Sequence, residues 1–217
     1  MSDQTFDPSS FLSSLYTPKT LSLPITLLPE YPGFADAISQ QLMELTSKVI
    51  MEDSREKFDA VIMFLGSVII GNWPRHMNKA IDSENIVLYL AHSTVLGWCQ
   101  VLKEDNEAET SKDEPALPPD SDESDEEDEE ELPQEDPVVV NRCAKALATL
   151  CSHTQRSLWM KWPEGVDSIY MVIKTAITHN NRITGDVKAA LLQTLVDFHE
   201  WTRTKAVTKK SSSTQTV

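Results

Sequence analysis

From Gly33 to Met51 apolar residues recur every three or four positions, at Phe34, Ile38, Leu42, Leu45 and Val49, which marks one face of a helix. Arg55–Ile70 is apolar nearly all round, with Phe58, Val61, Ile62, Phe64, Leu65, Val68 and Ile69, and predicts a centrally buried helix. Gly71-Asn72-Trp73-Pro74 stops it, because Gly71 tolerates positive φ and Pro74 cannot continue a helix. Asp82 or Ser83 is the expected cap of a third helix carrying Ile86, Val87, Leu90, Ala91, Val95, Trp98 and Leu102. Asp136-Pro137 pairs a capping carboxylate with a first-turn proline, and Val139, Val140, Cys143, Ala144, Leu147, Leu150 and Cys151 form the next face. Trp159, Trp162 and Pro163 predict a corner. A helix over Val166–Ile177 follows, ended by His179-Asn180-Asn181. Thr184-Gly185-Asp186 starts the last, with Val187, Ala190, Leu191, Leu195, Phe198 and Trp201 inward. The expectation is an all-α module of about six helices.

Three segments lack this periodicity. Residues 1–32 hold five prolines among many Ser and Thr, which block both helix and sheet ladders. Leu21, Leu23, Ile25, Leu27 and Leu28 are nevertheless too apolar for a simple tail, so this extended arm is expected to pack partly on the body. Residues 104–136 are acidic and proline-containing, and self-repulsion with few apolar residues predicts disorder. Residues 205–217 form a basic, Ser/Thr-rich tail. The helical halves are therefore 33–103 and 137–204. Neither is large enough to be comfortable alone, so the tract reads as an insertion looped out of one body, with an inter-domain linker as the other reading.

Composition sharpens this picture. The 217 residues carry a net charge of −15, unevenly distributed. Residues 104–136 hold eighteen acids and one lysine, whereas 137–217 hold five acids and eleven bases. The overall sign argues against direct nucleic-acid binding, because phosphate backbones repel such a chain. The three cysteines, Cys99, Cys143 and Cys151, lie in helix-like apolar patterns without metal-ligand spacing, and predict buried free thiols in a reducing compartment, cytosol or nucleus. The longest apolar run, Ala60–Ile70, is shorter than the ~20 residues a bilayer needs, so no membrane association is expected.

The chemistry-bearing patterns are few. The sequence contains no G-x-G-x-x-G, Walker loop, H-E-x-x-H, G-x-S-x-G or EF-hand ladder, and its five histidines are scattered. Cys151 and His153 are two residues apart and so do not share a helix face. No catalytic residue, cofactor or metal is expected. In the acidic tract, Glu127 lies three residues after Ser124, the placement acidophilic kinases recognise, and a phosphate on Ser124 would serve Ser121 in the same way.

The second half adds a resemblance. The dipeptides Trp73-Pro74 and Trp162-Pro163 each precede an apolar helix. "RCAKALATLC" looks like the last helix of one armadillo repeat, and Glu164–Phe198 looks like the next repeat's glycine-led second helix, polar turn and third helix. Gly165, Val166, Ile169, Val172 and Ile173 match the glycine and apolar positions, and Ala189, Ala190, Leu192, Leu195 and Val196 the small and branched core positions. The resemblance covers roughly 141–201. The first half lacks the glycine-led helix, so a compact armadillo/HEAT-like module fits better than a long superhelix. It implies a non-catalytic adaptor or scaffold that binds a protein partner, with Trp73, Trp159 and Trp162 as candidate anchors. The alternative is a chaperone-like binder of basic proteins acting through the tract, a polyanion that draws basic surfaces of the histone or ribosomal type. The tract could also fold back on Arg142, Lys145, Arg156, Lys161, Lys174, Arg182 and Lys188.

Overall fold

The computed structural model describes residues 34–52, 55–81, 83–112 and 135–202. These form seven α-helices: α1 (Phe34–Met51), α2 (Arg55–Ile69), α3 (Ile86–Lys112), α4 (Pro137–Thr154), α5 (Arg156–Lys161), α6 (Pro163–His179) and α7 (Gly185–Thr202). A 3₁₀ turn at Arg75–Met77 follows α2, and there is no strand among the described residues. The fold is all-α.

Six of the helices make three hairpins in two layers. In the front layer α2 packs on α4 and α4 on α7; in the back layer α1 packs on α3 and α3 on α6. Each front helix also packs on a back helix, α2 on α1 and α3, α4 on α3, and α7 on α6. One hydrophobic cluster runs through the whole array. It takes Ile62, Phe64 and Leu65 from α2, Val87 and Leu102 from α3, Leu147 and Leu150 from α4, and Ile169, Ile173 and Leu191 from α6 and α7. The two halves of the sequence therefore share a core, and the acidic tract interrupts the middle hairpin, between α3 and α4.

The local sequence explains most element ends. Asp136 accepts from Val138 N at 2.8 Å and Pro137 fills the first helical position of α4. Three expectations need correction. The cap of α3 is Asn85, not Ser83: Asn85 Oδ1 accepts from Leu88 N at 3.1 Å, and its Nδ2 donates to Met77 O. Glu84 N and Asn85 N both bond to Ile81 O, and that turn delays the helix start. Asp82 lies outside the described residues. The Trp159 corner is itself a helix, α5, separated from α4 by Gln155 with φ 49°, a positive value that no glycine signalled. Finally, the acidic tract does not begin at 104, because α3 continues to Lys112. Residues 113–134, with Ser121 and Ser124, lie outside the described residues, as do the arm 1–33 and the tail 203–217.

Gly66 lies where α2 packs against α4. A Cβ on Gly66 of α2 would stand 2.7 Å from Thr154 Cγ2 and 3.2 Å from Leu150 Cδ1 of α4. The glycine leaves room for these α4 side chains against the α2 backbone. The window Ile86–Glu107 within α3 is long and apolar enough to cross a membrane by length and composition. In the fold its apolar side, Val87, Leu88, Ala91, Val95, Trp98 and Leu102, is buried in the shared core.

Candidate functional site

The front layer presents two adjoining clefts on either side of Lys145. One, of about 570 Å³, lies between the end of α1, the start of α2, and α4; its lining includes Glu52, Phe58, Arg142, Lys145, Arg182 and Asp186. The other, of about 590 Å³, lies between α2, α4 and α7; its lining includes Asp59, Lys145, Ala148, Ser152, His153 and Asp197. The groove exists because α4 turns short side chains, Ala148, Thr149 and Ser152, toward a surface flanked by α2 and α7.

Its charges differ along α4. One end is mixed, with Arg142, Lys145 and Arg182 beside Glu52 and Asp186, and Asp59 and Asp197 make the other acidic. The Lys145 ammonium sits 5.2 Å from the centroid of Phe58, within cation–π range. Arg142 donates to Ile50 O at 2.9 Å and so ties α4 to the end of α1. The carboxyl of Asp186, at the start of α7, is held below its usual range by hydrogen bonding with Thr184 and the adjoining helix-start backbone, and by the charge of Lys145.

Beside the mixed end lies a polar cluster that joins distant parts of the chain. Arg182 pairs with the buried Asp105 of α3 and donates to Glu135 O, just before α4. Asn180 donates to Asp105 Oδ2 at 2.6 Å and to Asn106 Oδ1 at 2.9 Å, and accepts from Arg182 N. Asn141 of α4 donates to Arg182 O, and its Oδ1 accepts from Thr184 N. Asp105, Asn106 and Asn180 are all buried, and this mutual bonding offsets their desolvation. Arg182 thus ties Asp105 in the last third of α3 to Glu135 just before α4. Sequence reading offered Arg182 as a contact for the tract but missed Asp105, Asn106 and Asn180. The only available signal was a hydrophilic pair, Asp105-Asn106, continuing the apolar face of α3 at helical spacing.

The expected tryptophan anchors are not gathered into a site. Trp73 is buried, and its Nε1 donates to Val68 O at 2.9 Å. Trp162 is buried and stacks on His92, centroids 3.9 Å apart and planes 15° from parallel. Both face inward, which corrects their reading as surface anchors; Trp159 on α5 is half-buried against the core. On α7 the expected Val187, Leu191 and Phe198 are buried, and Leu195 and Trp201 are partly so. Ala189, Ala190, Leu192 and Val196 are exposed, which corrects their reading as core, and Thr194 joins the buried stripe.

The candidate nucleophiles can be placed as well. Cys99, Cys143 and Cys151 are buried free thiols. Burial pushes Cys99 and Cys143 up to about 12 and Cys151 higher, far from the thiolate form. Ser67 Oγ stands 3.3 Å from His153 Nε2, and burial lowers the pKa of that imidazole. Ser67 lies inside α2 and bonds to Met63 O, and the backbone N–H groups around it belong to the helix ladder, so none is directed at an oxyanion. No group of three or more His, Cys, Asp or Glu suited to a metal ion occurs among the described residues.

One family matches the sequence over residues 22–209, described as a repeat of unknown function, DUF7627. The chain belongs to the DUF7627 family. The matched range extends from inside the N-terminal arm to the basic tail and so includes both helical halves. No curated protein and no solved structure matches this DUF7627 chain.

Proposed function

We propose that the three-hairpin array is an armadillo/HEAT-like module serving as a non-catalytic adaptor or scaffold, and that its front groove holds a segment of a partner protein. The observation that carries this reading is the pair of adjoining clefts along α4, open on the face where α2, α4 and α7 lie side by side. Helical arrays bind extended segments or single helices on such surfaces because the concave face offers many weak contacts in a row. The difference in charge specifies the occupant: a segment with acidic residues toward Arg142 and Lys145 and basic residues toward Asp59 and Asp197.

The test uses the full chain. A photo-crosslinking residue at Ser152 identifies the protein that occupies the groove in cells, and that protein is then assayed with Lys145→Glu/Asp197→Lys. The expected outcome is loss of the partner, on the order of tenfold or more in affinity, at unchanged far-UV circular dichroism. Restoration by a partner whose charges are swapped in register would establish the polarity. Binding that survives these changes, and is lost when 113–134 is replaced by an uncharged segment of equal length, would overturn the reading in favour of a tract that binds basic proteins.

A further inference from the structure

On the back layer, α1 and α3 leave a second groove, about 360 Å³, that differs in character from the front one. Trp98 and Val101 of α3, Ile50 of α1 and Val139 of α4 contribute apolar surface to it, and Met43 and Met51 line it from α1. Both methionines are more than half exposed. The groove is open because its lining includes small residues, Thr46, Ser47, Thr94 and Gly97; a Cβ on Gly97 would meet nothing within 4 Å. Glu135 supplies its one charge.

We propose that this groove is the docking site of the chain's own N-terminal segment, residues 21–28. Three observations select that occupant. The first is chemistry. Leu21-Ser22-Leu23-Pro24-Ile25-Thr26-Leu27-Leu28 has no charge and alternates apolar residues at 21, 23, 25 and 27, so an extended chain would present one apolar edge to a largely apolar groove whose single charge is Glu135. Pro24 and Pro29 disfavour a helix and pre-set an extended backbone, which lowers the entropy lost on docking. The second is reach. The arm enters α1 at Phe34, and the helical rise puts Met43 roughly 13 Å from that point. The residues between Leu28 and Phe34 can span up to about 20 Å, enough for the arm to double back along α1. The third is that the DUF7627 match begins at Ser22, so this segment belongs to the same unit as the helices it would cover.

The groove would seat the arm on a surface formed by α1, α3 and the start of α4. This site is independent of the front groove, and its failure would leave the adaptor reading untouched.

The test is disulfide trapping in the full chain with Ile25→Cys and Ser47→Cys, in which the native thiols are buried. A docked tether gives an effective concentration in the millimolar range, so mild oxidation should yield an intramolecular crosslink at least about tenfold above a control pair with the arm cysteine at Ser10. The product is a monomer on a non-reducing gel, with the linked peptides identified by mass spectrometry. A crosslinked dimer as the main product would assign the groove to a second copy and overturn the proposal, and so would no enrichment over the control. A cysteine-free readout accompanies it. Leu23→Asp/Ile25→Asp should raise the oxidation rates of Met43 and Met51 severalfold, and unchanged rates would also overturn the proposal.

Discussion

Arg182 closes an ion pair with Asp105 across 77 residues of sequence, and the same guanidinium donates to the carbonyl of Glu135. It thereby ties Asp105, two turns before the end of α3, to the residue pair that leads into α4, and so joins the two helices of one hairpin. The carboxylate of Asp105 is almost fully buried and has its second oxygen bonded to Asn180, so the pair acts at low dielectric, beyond the screening that weakens surface pairs.

Removing one partner should therefore be costly. Arg182→Ala leaves a buried carboxylate without its cation and should cost about 3–5 kcal/mol in urea unfolding. Asp105→Leu/Arg182→Met, which removes both charges, should cost clearly less than the sum of the single changes, and that coupling is read from a double-mutant cycle. Wild-type stability at this pair should change little between low and moderate salt.

Gly165 and Trp162 give a second prediction. A Cβ on Gly165 would fall 2.2–2.4 Å from the indole ring, which is held on its other side by His92. Gly165→Ala gains about 1 kcal/mol of helix propensity but drives a methyl group into a rigid, buried ring. The net effect should be destabilising by about 2 kcal/mol or more, within the range of overpacked cores. On a Trp162→Leu background the same glycine change should cost little. Equal losses in the two backgrounds would show that the indole is not the obstacle.

His92 makes stability depend on pH. Burial against Trp162 lowers its pKa to about 4, and the nearby charge of Glu164 only partly opposes the shift. An unfolded histidine takes up its proton near pH 6.5. The contribution of neutral His92 is therefore fully present above about pH 6.5 and is lost progressively as pH falls toward 4, because the unfolded chain binds the proton first. The urea midpoint should fall between pH 7.5 and pH 4.5, and fall less in His92→Phe, which keeps a ring against Trp162. His153, lowered in the same direction by burial, adds to the residual slope.

Six helices and most of their ends followed from sequence because their causes are local. Apolar spacing at Ile38, Leu42 and Val49, the carboxylate of Asp136 before Pro137, and the stop at Gly71–Pro74 each act within a turn or two of chain. The same holds for the thiols, whose helix-like surroundings implied burial. Tertiary structure decided whatever depends on partners distant in sequence. Asp105 reads as the start of a solvated acidic run, yet it is buried because Asn180 and Arg182, 75 and 77 residues later, supply its bonds. Trp73 and Trp162 read as corner residues and candidate anchors, yet they are buried, one bonded to Val68 O and the other stacked on His92. On α7 the sequence offered both Val187, Leu191 and Phe198 and the neighbouring Leu192 and Val196 as core, and packing on α4 and α6 buried only the first set. Periodicity fixes that a helix has a buried face; only the neighbours it meets decide which face that is, and where the grooves between them remain open.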